Sequence, residues 1–544
     1  VNDRSIKRRE AWFSRLFNKP ADCVSAARPW RVGLFPALMA MLLGGCATQP
    51  AYEKPDLSMA SAWDNGARSV LAADAGDTAQ QAWWRRLGDP AIDALAEAAL
   101  VDSPTLGQAI ARIDQARAAA RVSDAQRLPQ ISVDGSVTRA RTGGTQADSG
   151  AVPTTQSSAT LGPGLSWEFD LWGRLKETAR AADGRLDART ADAEQTRLSL
   201  TVQIADAVLR LRACHFSLTV GDRDIAARQL ELAVMRERLL RGNVAPVEAA
   251  NAASNLATAR TDRFSQQDLC ARIVNELVAL SGRAASVVRT LVTAPAGKTA
   301  ALPPTLERKS PLAPIAPVDA DMIIPAPPPL ALALPANILL GHPIVVAAER
   351  EAAARWAEIG VARADRLPRI DLAGLLTGNW IRTLGSTSGF NSWSAGAELT
   401  APLFDGGAGA ANIRGAQARY REAVETLRDA VRTATRDVED ALAGQESAQQ
   451  RITTSREAVE AAHVALRANE ARWRAGAISM FELEDTRRQF NAAQEAAIAA
   501  ARDRAQAWVA LVRAAGGRVG LQSAALTGPD ALISPSDQGS AQQK

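Results

Sequence analysis

Leu165-Ser166-Trp167-Glu168-Phe169-Asp170-Leu171-Trp172-Gly173 is answered 234 residues later by Leu399-Thr400-Ala401-Pro402-Leu403-Phe404-Asp405-Gly406-Gly407. Each segment alternates at its start and then runs into a long stretch without proline. The same offset of 234 relates Asp206-Ala207 to Asp440-Ala441, Gly242 to Gly476 and Gly282 to Gly516. Upstream, Arg127-Leu128-Pro129 matches Arg366-Leu367-Pro368 at an offset of 239, so the first copy carries five extra residues between about Arg139 and Ser157. Glycines and apolar positions kept in register over this distance mark an internal duplication.

Each copy opens with a helical segment, Ala94 to Arg121 and Ile344 to Arg366, ending before Leu-Pro, where proline disfavours helix in its predecessor. Two strands follow in each. Ile131, Val133 and Val137 alternate with Ser132, Asp134, Ser136 and Thr138; Leu165, Trp167, Phe169 and Leu171 alternate with Ser166, Glu168 and Asp170. The second copy repeats this with Ile370, Leu372, Gly374, Leu376 and Trp380, then Trp393, Ala395, Ala397 and Leu399. Period-two alternation gives one apolar and one polar face. Polar loops are expected at Thr142–Ser158 and Gly385–Ser392. The aromatic residues concentrate here, which suits strands facing lipid; an ordinary hairpin packed on helices is the competing reading.

Long helices follow the strands. No proline occurs from Gly164 to Ala245 or from Leu403 to Gly528. Leu218, Ile225, Leu232 and Leu239, and likewise Ile452, Val459, Leu466 and Trp473, advance by seven, the step that keeps a seam facing a neighbouring helix. Gly173 to Leu211 alone reaches nearly 60 Å at about 1.5 Å per residue. A Pro-rich stretch, Pro295 to Pro335, separates the copies.

Four strands cannot close a membrane barrel. Each unpaired backbone group in hydrocarbon costs several kcal/mol, so a spanning sheet must have no edge, and bacterial barrels have at least eight strands. If the strands enter lipid, copies of the chain must therefore pool them. Two leave a bore filled by side chains, and three leave a duct.

Ahead of both copies, the uncharged run from Val32 to Gly45 follows Arg28 and Arg31 and ends in Leu43-Gly44-Gly45-Cys46. It is too short to span a membrane and reads as a secretory leader. Cysteine directly after the small residues resembles a bacterial lipobox, which makes Cys46 the lipidated first residue of the mature chain. Residues 1–45 carry a net +5 of the formal +4, leaving about −1 on the remainder. The basic balance thus belongs to the leader, and nucleic acid is not an expected partner. Cys214 and Cys270 lie in helical sequence and are expected to be two buried thiols. His215, His342 and His463 show no metal-ligand spacing. Neither a phosphate-cradling loop nor a nucleophile elbow occurs, so no enzyme activity, metal or cofactor is expected.

The lipobox with Cys46, Tyr52, Pro55, Trp84-Arg85-Arg86-Leu87-Gly88-Asp89, and the doubled Arg-Leu-Pro and Asp-Leu-Trp-Gly/Asp-Gly-Gly motifs, in this order, resemble the TolC-like outer-membrane efflux factors, in the lipoprotein branch of OprM and NodT type. Gly341-His342-Pro343 departs from that family's usual Arg-Pro-Asp.

The resemblance implies a homotrimer. Its fold is mainly helical: four strands per chain form a twelve-stranded outer-membrane β-barrel, and a long α-helical barrel extends into the periplasm. An equatorial belt would use the Gly242 and Gly476 breaks. The expected divisions are 1–45 leader, 46–93 lipidated segment, 94–294 first repeat, 295–335 linker, 336–516 second repeat and 517–544 tail. The implied partners are outer-membrane lipid, a periplasmic adaptor and an inner-membrane pump of RND or another type. The implied function is the exit duct of a tripartite efflux pump; an ABC-driven type I secretion duct and a lipidated periplasmic adaptor are the alternatives. The implied gate lies at a tip near Val438–Gln445. Asp440 leads the candidates there, with Asp437 and Arg436 beside it and Asp206 as a weaker equivalent.

Overall fold

The computed structural model describes residues 49–57, 62–65, 82–142, 154–294, 324–328, 330–331, 339–383, 385–517 and 520–521. The leader and Cys46 lie outside the described residues.

After a 3-10 turn, Trp83–Leu87, come α1 (Pro90–Asp102), α2 (Pro104–Ala125), β1 (Gln130–Thr142), β2 (Thr154–Phe169), α3 (Arg174–Leu240), α4 (Pro246–Ser281) and α5 (Ala285–Thr293). The second half has β3 (Leu330–Ala331), α6 (Pro343–Ala364), β4 (Arg369–Thr383), β5 (Ser386–Thr400), α7 (Ala408–Arg474), α8 (Met480–Ala514) and β6 (Gly520–Leu521). The duplication is thus two copies of short helix, hairpin, long helix and returning helix.

The two hairpins join through β2 and β4 into one antiparallel sheet of order β1-β2-β4-β5. Beside Leu376, a Cβ on Gly162 would fall 1.8 Å from the carbonyl oxygen, so only glycine fits where β2 crosses β4. The sheet is longer than the sequence suggests. Ser386–Asn391, read as loop from its Ser and Gly content, pairs with Gly378–Thr383, so the ladder of the second hairpin runs out to Thr383–Ser386. Likewise β2 begins at Thr154, inside the stretch read as the first loop. Cross-strand pairing overrides the weak β preference of serine and glycine.

α3 and α7 each run unbroken for 67 residues, about 100 Å. Each starts at the strand base and is followed by a partner that packs back along it, α4 on α3 and α8 on α7. The turns at 241–245 and 475–479 are therefore the ends of the helical hairpins, remote from the strands. This corrects their expected place in an equatorial belt. It also corrects the tip expected near Val438–Gln445, which lies midway along α7. The returning helices are shorter, 36 and 35 residues, and the 22-residue α2 and α6 complete the length alongside. Where they meet, Gly282 lies against Asp102, and Gly516 lies against His342 and Pro343. At this joint His342 does locally what Ser103 does in the first copy. Each caps its helix, Ser103 Oγ accepting from the Leu106 N–H (3.4 Å) and His342 Nδ1 from the Ile344 N–H (3.3 Å).

The main core sits at that level. Trp83, Ile92, Leu95, Ile204, Leu211, Leu277, Val438 and Trp508 are fully enclosed in it. Arg212 on α3 crosses it and donates twice to Asp89 (2.6 and 2.8 Å) and to the carbonyls of Val292 and Ala294 (3.0 and 2.9 Å). Asp89 in turn caps α1, accepting from the Ala91 N–H at 2.9 Å. Both charges are buried and fully bonded, so removing either strands the other at a cost of about 3–5 kcal/mol.

Cys214 and Cys270 form a disulfide between α3 and α4, correcting the expectation of free thiols. The hairpin turns at Gly242, so residues whose numbers sum to 484 lie opposite one another, and 214 and 270 are such a pair. The bond closes a 56-residue loop, worth about 4 kcal/mol by chain entropy. Replacing both cysteines with serine is expected to lower the melting temperature and remove its dependence on reductant, measured by circular dichroism with and without dithiothreitol.

Candidate channel-forming surfaces and helical tips

The strand registers carry the alternating residues onto one face. Ile131 pairs with Leu165, Leu165 with Gly374 and Gly374 with Ala395; Trp167 pairs with Leu372 and Leu372 with Ala397; Leu376 pairs with Trp393. The other face holds Ser136 bonded to Thr160 (2.8 Å) and Asn379 donating to Ser392 (2.8 Å). Among the described residues the strands pack chiefly on one another, leaving Ile131, Val133, Val137, Trp393 and Leu399 exposed. This removes the reading of a hairpin packed on helices. Phe169 and Trp380 mark the two ends of the apolar band. Phe169 pairs with Ile370, ten residues before Trp380. At roughly 3.3 Å per residue and a tilt near 40° that spans about 25 Å, the height of a barrel's lipid-facing band. Among the described residues the outer edges, β1 and β5, have no partner strand. Among the described residues no helix is long and apolar enough to cross a membrane.

At the opposite end, both long helices stop in the same way. Gly242 and Gly476 adopt left-handed φ of 71° and 75°. The next N–H reaches back five residues, Asn243 to Arg238 (2.9 Å) and Ala477 to Arg472 (2.8 Å), which satisfies carbonyls the helix leaves open. Ser479 then caps α8, accepting from the Glu482 N–H at 3.2 Å. The heptad residues pack as their spacing predicts. Ile225, Leu232 and Leu239 face α4, Val459 and Leu466 face α8, and Trp473 with Met480 touches both clusters. The Arg238 guanidinium lies 5.0 Å from the centre of the Trp473 ring, tying the two hairpins together near their ends.

One group of functional interest escapes sequence reasoning. Arg228 and Glu231 on α3 meet Glu484 and Arg487 on α8, all buried. Arg487 donates to Glu231 (2.5 Å) and to Glu484 (2.6 Å), and Arg228 to Glu484 and to Asp224 (2.7 Å). Asn491 donates to Asp224 at 2.8 Å. Burial, and then the neighbouring Glu484 carboxylate, push Glu231 up to about 8. The available signal was the duplication: positions 228, 231, 484 and 487 answer to Ala462, Ala465, Ala250 and Ala253.

The residues expected at the gate lie midway along α7. Asp440 is about 50 Å from either end of α7. Its side chain is 76% exposed, 3.9 Å from Arg436, while Arg436 pairs with Asp437 at 2.6 Å. Between them, Glu439 accepts from the backbone N–H groups of Asp64 and Asn65 (2.8 and 3.0 Å) and so holds an N-terminal segment against α7. Asp206 binds Arg210 (2.9 Å) and Gln506 (2.5 Å), joining α3 to α8 at the same level. His215 is lowered from its ordinary value by burial, and His463 stacks on Phe490 with centroids 5.5 Å apart.

A sheet apolar on one face, with two open edges and two attached helical hairpins of about 100 Å, defines a subunit of an outer-membrane channel. The chain belongs to the outer membrane efflux protein family, whose model matches residues 95–283 and 334–517. It is 29% identical over 484 residues to the pyoverdine export outer membrane protein OpmQ of Pseudomonas aeruginosa, covering 88% of this chain and 95% of that one. To OprJ of the same species it is 28% identical over 489 residues, covering 89% and 95%. Among solved structures, a membrane protein from Pseudomonas aeruginosa superposes with a TM-score of 0.72 at 25% identity, covering 87% of this chain and all of that one. The open state of the MtrE channel of Neisseria gonorrhoeae shares the fold, with a TM-score of 0.70 at 23% identity and coverage of 87% and 98%. The chain is thus a TolC-like outer-membrane efflux channel of the OprM/NodT type, in a family of trimeric channels that work with adaptors and inner-membrane pumps.

Valine at position 242 or 476 must take a left-handed backbone, which costs about 1–2 kcal/mol. Gly242→Val and Gly476→Val are expected to speed proteolytic nicking at 241–245 and 475–479 respectively, read by limited digestion and mass spectrometry.

Proposed function

We propose that the chain is the lipid-anchored exit duct of a tripartite pump. Three copies share one twelve-stranded barrel, with β1 of each chain paired antiparallel to β5 of the next. The observation carrying this is the four-stranded sheet, whose β1 and β5 edges are open among the described residues and whose apolar side chains are exposed. An RND-type pump working through a periplasmic adaptor drives the export of small organic molecules. The role of OpmQ in pyoverdine export supports that class of cargo.

Support for lipid at Cys46 comes from the segment that follows it. Arg363 donates to Gln49 Oε1 (2.7 Å) and Trp356 to the Pro50 carbonyl (3.1 Å), which lays residues 49–50 along α6 just below the start of β4 at Arg369. Cys46 precedes this segment by three residues in the sequence. Radiolabelled palmitate is expected to enter the full chain and not Cys46→Ser.

The closed end of the duct is assigned to the helix turns. There Glu482 and Asp485 on α8 become rings of three carboxylates, whose mutual repulsion makes closure sensitive to charge. Arg436, Asp437 and Asp440 then form a charged ring at mid-height. In planar bilayers Asp485→Ala is expected to raise resting conductance severalfold. Asp440→Ala is expected to change cation selectivity and leave resting conductance alone; the reverse pattern returns the gate to Asp440.

A further inference from the structure

The buried group between α3 and α8 holds two guanidinium groups, Arg228 and Arg487, and three carboxyl groups, Asp224, Glu231 and Glu484. With every carboxyl ionised the group carries one uncompensated negative charge, and with one proton it is neutral. Glu231 Oε1 is enclosed and meets no hydrogen-bond donor, so a proton placed there can be shared with Glu484. The duplicate positions, Ala462, Ala465, Ala250 and Ala253, carry no charge, so the group belongs to one half of the repeat. The group lies within about 20 Å of the hairpin ends.

We propose that Glu231, Glu484, Arg228 and Arg487 are a proton-holding latch between the two helical hairpins of one chain, and that parting α3 from α8 releases one proton per chain. The inference deepens the duct reading, and rests on it for the consequence that parting this joint widens the bore. The two hairpins differ in a way that places movement at the joint. The first is stapled by Cys214–Cys270, whereas the second has Ala448 and Arg504 at the equivalent positions. α3 therefore stays with α4, and the yielding contact is the one with α8.

Other charges face the latch across a groove of about 720 Å³. α4 contributes Glu248, Asp262 and Arg263, the last bound to Asp222 of α3 at 2.5 Å, and α8 adds Arg488 and Glu495. On the α7 side His463 stacks on Phe490, and Glu470 pairs with Arg474. Glu231 and Glu484 both meet the Arg487 guanidinium, and Asp224 and Glu484 both meet that of Arg228.

The direction of the pH effect follows. A joined latch keeps its proton up to about pH 8, whereas carboxyl groups parted into water release theirs near 4.5. Between these values the joined state binds one more proton, so each rise of one pH unit favours parting by about tenfold per latch. Below about 4.5 and above about 8 the equilibrium stops depending on this group.

The test uses the full-length trimer in detergent, with spin labels at Leu240→Cys and Phe481→Cys, both exposed near the tip. The proposal expects a longer distance population that grows from pH 6 to pH 8, and expects Glu231→Gln to remain at the short distance throughout. An unchanged distance in the parent, or the parental pH profile in Glu231→Gln, overturns it. If Glu231→Gln fails to form trimer, Glu484→Gln serves with the same two outcomes. Conductance of the unlabelled trimer is measured separately. A particle that never conducts defeats the duct reading, while the label distances still decide the latch.

Discussion

The structure depends on a sheet that cannot be completed by one chain. β2 and β4 bind the two repeats into a single surface through a ladder from Gln156–Thr383 to Phe169–Ile370, interrupted only where Pro163 lacks an N–H and Gly162 passes the Leu376 carbonyl. That ladder makes four strands out of two hairpins and leaves β1 and β5 unpaired at the flanks. In water such edges invite aggregation, and in lipid they are forbidden. Closure by further copies is the remaining solution, and every other element is arranged around it.

The helices inherit the same unit written twice. Each long helix leaves the sheet at Gly173 or Gly407 and returns through a shorter partner; a short helix from the start of the repeat fills the remaining length. The joint between short and returning helices is the weak place in this arrangement, because helix ends expose polar backbone groups. The chain gathers its largest buried side chains there. Arg212, bound to Asp89 and to carbonyls at the end of α5, ties the N-terminal segment into that belt. Glu439 binds the next stretch of N-terminal backbone on α7 at the same level, which is why the segment around Asp440 is a docking site for the N-terminus and not an end of the hairpin.

Much of this was legible in the sequence. The alternating residues of the four strands, the heptad rows and the paired glycine breaks all reappear where local periodicity places them. The disulfide was legible too, since a hairpin turning at Gly242 sets residue 214 opposite 270. It was missed because counting cysteines ignores that symmetry. The serine-rich start of β5 was misread because its strand character comes from pairing with β4 and not from its own residues. The hairpin tip was misplaced because a seven-residue repeat is uniform along a helix and carries no mark of height.

The amino-acid sequence by itself determined the doubled unit, the length and breaks of its helices and the apolar face of its sheet, since these follow from spacing along one element. Only the tertiary structure decided which elements meet: β2 with β4, α3 with α8, and the N-terminal segment with α7. Those contacts depend on how helices rotate about their axes and slide along one another. That is why Arg228 and Glu484, 256 residues apart, came to share a buried ionic group that neither neighbourhood announces.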